Sequence, residues 1–157
     1  MNSMQTKYHG TIELEEKSMI TFEEGIPGFP DAKSFVLLPL QQDAAFTVLQ
    51  STEEPTLAFI LVNPFEFKPD YEVNLPDKVV GKLAITEPDE VAIFTILTVQ
   101  SPFENTTANL QAPVVINIEK QQAKQLILTD SPYTPKHHLF KQRNSPNRRE
   151  SNARSTT

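Results

Sequence analysis

Four pairs of adjacent acids and three histidines are the side chains of this sequence with the types to do chemistry. They are Glu15-Glu16, Glu23-Glu24, Glu53-Glu54 and Asp89-Glu90, with His9, His137 and His138. Glycoside hydrolysis needs two carboxyls facing one another across a cleft, about 5–10 Å apart. Neighbours on an extended strand point to opposite faces, so each acid pair reads as the solvated rim of a turn. The same geometry keeps His137 and His138 from chelating one ion, and they read as a surface feature. No serine sits in a Gly-x-Ser-x-Gly elbow, and no glycine-rich loop runs into Lys-Ser or Lys-Thr. The absence of cysteine excludes disulfides, thiolate catalysis and cysteine-ligated zinc. No enzyme activity, cofactor or metal is expected, and the chain reads first as a binder.

The most specific local feature is Phe22-Glu23-Glu24-Gly25-Ile26-Pro27-Gly28-Phe29-Pro30. Ile26-Pro27-Gly28-Phe29 has the form of a type II turn. Pro27 presets its φ, and Gly28 accepts the positive φ that a side chain resists. Pro27 and Gly28 are therefore expected to be structural. The apolar and acidic residues at the rim of this stiff loop suggest a docking surface.

Charge is unevenly spread. Residues 141–157 hold Lys141, Arg143, Arg148, Arg149 and Arg154 against Glu150, which is +4. The other 140 residues then carry 9 basic and 19 acidic side chains, or −10 of the total of −6. An acidic body of this size repels nucleic acid backbones and attracts basic partners. After Phe140 the only apolar residue is Ala153, so 141–157 is expected to be a disordered basic tail behind one domain, 1–140. Met1 to Gly10 has no apolar signal-peptide region, and no apolar run is long enough for a transmembrane helix. A cytoplasmic protein without membrane contact is expected.

The elements that must position any site are short. Met19–Phe22, Phe35–Leu38, Phe46–Leu49, Leu57–Val62, Val91–Val99, Val114–Ile118 and Gln125–Thr129 read as strands, with Ile12 and Leu14 marking a further one. Helix is expected at Pro76 to Leu83, with Pro76 at the first helical position, and as a single turn around Glu87–Glu90. So many short strands on one small chain make the fold class mainly β, an antiparallel sandwich or a small barrel, with one or two short helices.

Two further segments stand out at strand ends, the first mixing aromatics with three acids and prolines. Asn63-Pro64-Phe65-Glu66-Phe67-Lys68-Pro69-Asp70-Tyr71-Glu72 reads as a proline-stiffened loop. Thr107-Ala108-Asn109-Leu110-Gln111-Ala112-Pro113-Val114-Val115-Ile116-Asn117 reads as a tight entry into a buried strand. Together with Glu24-Gly25-Ile26-Pro27-Gly28-Phe29, Leu49-Gln50-Ser51, Ala58-Phe59 and Gln125-Leu126-Ile127-Leu128, in that family's order over about residues 8–139, the sequence resembles FliW, the flagellar assembly factors. The resemblance implies a mainly β, barrel-like partner-switching regulator. It implies binding to flagellin in the cytoplasm and, once flagellin is exported, to CsrA, a small basic RNA-binding repressor of flagellin mRNA translation. The tail beyond Phe140 falls outside the resemblance.

For the binding face the choice falls on Phe65, Glu66, Asp70 and Glu72, with Asp89 and Glu90 as a second acidic patch. Aromatic anchors on a stiff loop limit the entropy lost on docking. Two alternatives compete. One is a nucleic-acid-binding module using the basic tail, with Phe and Tyr stacking on bases; the acidic body argues against it. The other is a small-molecule enzyme with a barrel pocket, which requires a deep cleft of convergent polar groups.

Overall fold

The computed structural model describes residues 2–15, 18–40, 43–129 and 131–140. Glu16 and the basic segment 141–157, with its expected disorder, lie outside the described residues.

Eleven strands form in chain order: β1 (Asn2–Gln5), β2 (Thr11–Leu14), β3 (Met19–Phe22), β4 (Ser34–Leu40), β5 (Asp43–Ser51), β6 (Ala58–Val62), β7 (Val91–Thr98), β8 (Thr107–Ala108), β9 (Val114–Asn117), β10 (Gln122–Gln125) and β11 (His137–His138). Two short helices, α1 (Pro64–Phe67) and α2 (Asp77–Lys82), lie between β6 and β7. Seven strands close into a barrel in the order β7-β6-β5-β4-β3-β10-β9, with β9 pairing back onto β7. The fold is thus mainly β, as the sequence implies, and barrel closure leaves few exposed strand edges. All the barrel pairs are antiparallel except β3 with β10, which runs parallel. β8 and β11 extend one end of β7.

Alternation along the strands fills the barrel. Ile20 and Phe22, Phe35, Leu49, Leu61, Val114, Ile116 and Ala123 point inward, and Ile26 of the β3–β4 loop joins them. Phe22 and Phe35 meet edge-on at 5.2 Å. β9 is buried on both faces because α2 lies over it, setting Val79 and Leu83, four residues apart, against Val115 and Leu126. This explains the unbroken apolar run at Val114-Val115-Ile116.

α2 ends at a left-handed residue, Ala84, with φ +53°. Glycine is the usual choice there. Asn117, fully buried on β9, donates to the carbonyls of Leu83 (2.8 Å) and Ala84 (3.3 Å) and so holds the strained end. Pro76 precedes the helix as its cap rather than opening it. The β1–β2 hairpin is a separate two-stranded sheet. It is anchored by buried Met4 and by the Lys7 amide, which donates to buried Gln50 at 2.9 Å.

Two elements differ from expectation. The last apolar strand, expected at Gln125–Thr129, forms three residues earlier. Gln121, with φ +57°, turns the chain back onto β9 at once. Pro113 then stands opposite Leu126 with no N–H to return, so only one-way bonds continue: Leu126 donates to Pro113 O at 2.8 Å and Leu128 to Gln111 O at 2.7 Å. The segment read as a loop after β6 begins with the helical turn α1. Asn63 accepts from the Phe65 amide at 2.9 Å, and Pro64 occupies the first turn.

Candidate partner-binding site

The Phe65–Glu72 segment carries an exposed face over a buried anchor. Tyr71 is 3% exposed and donates its hydroxyl to Leu110 O at 2.6 Å. Burial, and then the neighbouring Tyr133, push its pKa above the ordinary value of 10.0. Tyr133 packs edge-on against Tyr71 at 4.6 Å and accepts from the Glu72 amide at 2.9 Å. Phe65, 39% exposed, leans on Tyr71 at 5.7 Å. Tyr71 thus belongs to the core, and Phe65 is the aromatic left at the surface. Glu66, Asp70 and Glu72 are exposed around it.

Of these carboxylates, among the described residues, only Asp70 is ion-paired, to Lys68 at 3.2 Å. The Lys68 hydrogen bond holds Asp70 below the usual carboxylate range. Lys68 also sits 5.9 Å over the Tyr133 ring. Three acids and one base leave this face at −2.

The second acidic patch divides. Asp89 is exposed on the single helical turn Pro88–Glu90. Glu90 is buried, and its carboxylate accepts from the Thr86 amide and hydroxyl, each at 2.9 Å. These hydrogen bonds hold its pKa below the ordinary value. Glu90 therefore fastens the turn into β7 rather than presenting charge. The extended run 72–76 also separates the two patches. Glu72 and Asn74 face a cleft with Leu126–Leu128, while Val73 and Leu75 face a groove with Glu87, Pro88 and Ile93.

The β3–β4 loop is built as a small hairpin. Ile26 and Phe29 bond each other's backbone, Phe29 N to Ile26 O at 2.6 Å and Ile26 N to Phe29 O at 3.2 Å, with Gly28 at φ +90°. Gly25, at φ +70°, is the more constrained glycine. A Cβ there would collide with the Pro30 carbonyl oxygen and lie 2.7 Å from that residue's carbonyl carbon and Cα, whereas one at Gly28 would meet nothing within 4 Å.

Beside this loop, Glu24 bridges Lys82 of α2 and Lys124 of β10. Hydrogen bonds from Lys124 first, and then Lys82, hold its carboxyl down to about 2 from an ordinary 4.5. A depressed folded-state pKa stabilises the fold above the unfolded value and loses that contribution as pH falls. The stability gap between the parent and Glu24→Gln is therefore expected to be constant above about pH 5 and to close between 4.5 and 2, as read by denaturant unfolding across pH. A gap unchanged down to pH 2 would show that the two lysines do not act through this carboxylate.

His137 and His138 occupy β11, where His137 leans on Phe67 at 6.0 Å. Burial, followed by nearby Lys68 and His138, lowers the His137 pKa. Among the described residues no group of three or more His, Asp or Glu could hold a metal ion, and no helix is long and apolar enough to cross a membrane.

Known proteins match this architecture. The FliW protein family matches residues 3–139. The flagellar assembly factor FliW of Geobacillus thermodenitrificans is 53% identical over 135 residues, covering 86% of this chain and 93% of that protein. The FliW of Bacillus subtilis is 47% identical over 136 residues, covering 87% and 95%. A crystal structure of the flagellar assembly factor FliW superposes with a TM-score of 0.87 at 49% identity, covering 90% of this chain and 99% of that one. With a family match spanning nearly the whole barrel and relatives at about half identity, the chain belongs to the FliW family.

Proposed function

We propose that this chain is a non-enzymatic flagellar assembly regulator of the cytoplasm. It binds flagellin and, when free, binds and antagonises the translational repressor CsrA, relieving repression of flagellin mRNA. Family membership over residues 3–139 carries this reading. The −10 charge of residues 1–140 supports it, since complementary charge speeds encounter with a basic protein and rejects acidic competitors. So does the exposed Phe65, mounted on a capped turn and backed by buried Tyr71. A switch of this kind requires each partner to lower the other's apparent affinity.

The test immobilises the full chain and titrates purified CsrA, then flagellin. Saturable binding of each is expected, with the midpoint for one rising as the other is added. Failure of both to bind, or simultaneous binding with unchanged affinities, overturns the proposal. The tail lies outside the family match and has the wrong charge for a basic target. Truncation after Phe140 is therefore expected to leave CsrA affinity within a few-fold, or to raise it. A loss beyond about tenfold, or 1.4 kcal/mol, would assign the tail a direct contact.

A further inference from the structure

An open cleft beside the β3–β4 loop, about 700 Å³, is lined by Gly28, Phe29, Asp31, Glu53, Glu54 and Leu57, among others. Its charge is −3, with no lysine or arginine in the lining. Among the described residues none of its three carboxylates is ion-paired, although Lys33 follows close behind Asp31 in the chain. Phe29 is 45% exposed here, held edge-on to Phe59 at 5.9 Å.

The acidic loop is rigidly presented. Fully buried Gln50 donates to the carbonyls of Ser51 and Pro55, both at 3.1 Å. The buried Ser51 hydroxyl accepts from the amides of Glu53 (3.1 Å) and Glu54 (3.0 Å). An unneutralised, fixed acidic rim around an exposed aromatic face fits a guanidinium: carboxylates accept its forked donors, the ring takes its flat face, and its methylenes cover apolar wall.

The chain itself supplies that chemistry. Residues 141–157 carry four arginines and a net +4. Their origin is placed by Phe140, which contacts Phe103 at 5.5 Å, and Phe103 contacts Phe46 at 6.0 Å. From Phe46 to Ser51 in the cleft wall, β5 runs five residues, about 17 Å. Arg148 and Arg149 lie eight and nine residues beyond Phe140, a reach of about 26–32 Å, so both can arrive at the cleft.

We propose that the basic segment 141–157 docks in cis on the Asp31–Glu53–Glu54 cleft, with Arg148 and Arg149 as its anchors. Tethering makes a weak contact sufficient, because the segment is held at high effective concentration. The docked segment neutralises part of the acidic body and occupies a cleft that a basic partner would otherwise find.

The chain has no cysteine, so Ser151→Cys in the full-length protein carries a single nitroxide label. In amide NMR spectra at about 20 mM salt, the label is expected to broaden Phe29, Asp31, Glu54 and Thr56 selectively. The broadening is expected to vanish with Arg148→Ala and Arg149→Ala, with Glu53→Lys and Glu54→Lys, and at about 1 M salt, where the screening length falls to about 3 Å. Unchanged dispersion elsewhere verifies the fold, and Asp31→Lys replaces the acidic double variant if that one does not fold. Broadening centred on Glu66 to Glu72, broadening indifferent to these substitutions, or none at all would overturn the proposal.

Discussion

Gly25→Val is expected to lower the thermal midpoint by roughly 5–20 °C, at least twice the loss from Gly28→Val. Both glycines have positive φ, +70° and +90°. A β-branched residue held there costs about 1–3 kcal/mol. At Gly28 the cost ends with the backbone, because a Cβ meets open space. At Gly25 the Cβ would stand 2.7 Å from both the carbonyl carbon and Cα of Pro30, and backbone cannot swing aside as a flexible side chain can. Overpacking of this kind adds about 1–3 kcal/mol. The sum, about 2–6 kcal/mol, is a large part of the total stability of about 5–15 kcal/mol. Each kcal/mol moves the midpoint of a chain this size by about 2–4 °C. The loop also delivers Ile26 into the barrel core and Glu24 to its two lysines, so displacing it loosens three elements together. Differential scanning calorimetry of the two variants decides. Equal losses would show that the Pro30 backbone does not confine Gly25.

That contrast marks what the sequence can and cannot disclose. The turn was legible because proline and glycine state their backbone preference locally. The close approach of Pro30 to Gly25 depends on how two ends of a loop fold together, and no residue pattern encodes it. Most strands of the barrel wall are legible as short apolar runs bounded by turn residues; β3 alternates in burial, whereas β9, covered on both faces, shows no alternation at all. β10 was displaced because its apolar residues, Leu126 and Leu128, face Pro113 and Gln111, where the ladder is already one-sided. The two-residue strands β8 and β11 have no periodicity to read. The barrel's parallel closure between β3 and β10 joins segments about a hundred residues apart, a choice that only the whole topology makes.

The acids divide along the same line. Glu24, Asp70 and Glu90 look alike in sequence, yet Glu24 bridges two lysines, Asp70 one, and Glu90 accepts from Thr86. A Thr four residues before a Glu at a Pro-opened turn was a usable signal for Glu90; nothing local announced Lys82 and Lys124 for Glu24. Phe65 and Tyr71 were equally ambiguous. The Tyr71 hydroxyl found its carbonyl in Leu110, thirty-nine residues away, and that distant partner decided which ring went inward.

Reversing Glu66, Asp70 and Glu72 to lysine is expected to slow CsrA association by about tenfold or more at low salt and to flatten its salt dependence. The face carries three acids and Lys68, so the substitutions take it from −2 to +4. Steering by complementary charge raises on-rates by about 10–1,000-fold and is screened by salt, so its removal shows first in the association phase. Glu66 and Glu72 are exposed and, among the described residues, without ion pairs; their reversal costs little stability. Asp70→Lys also strands Lys68, which adds repulsion. Phe65→Ala is expected to act on the other rate. Its ring is exposed but supported by Tyr71, the arrangement of an anchor that becomes buried on docking, so its loss should raise the off-rate by about tenfold, near 1.4 kcal/mol. Tyr71→Phe, by contrast, leaves the Leu110 carbonyl unpaired in the interior and should lower stability by about 1–3 kcal/mol without a matching change in association. Stopped-flow association at two salt concentrations, with circular dichroism verifying each fold, separates the three effects. If the folded triple-lysine variant associates at the parent rate in low salt, this face does not meet the basic partner, and the charge that steers it lies elsewhere on the acidic body.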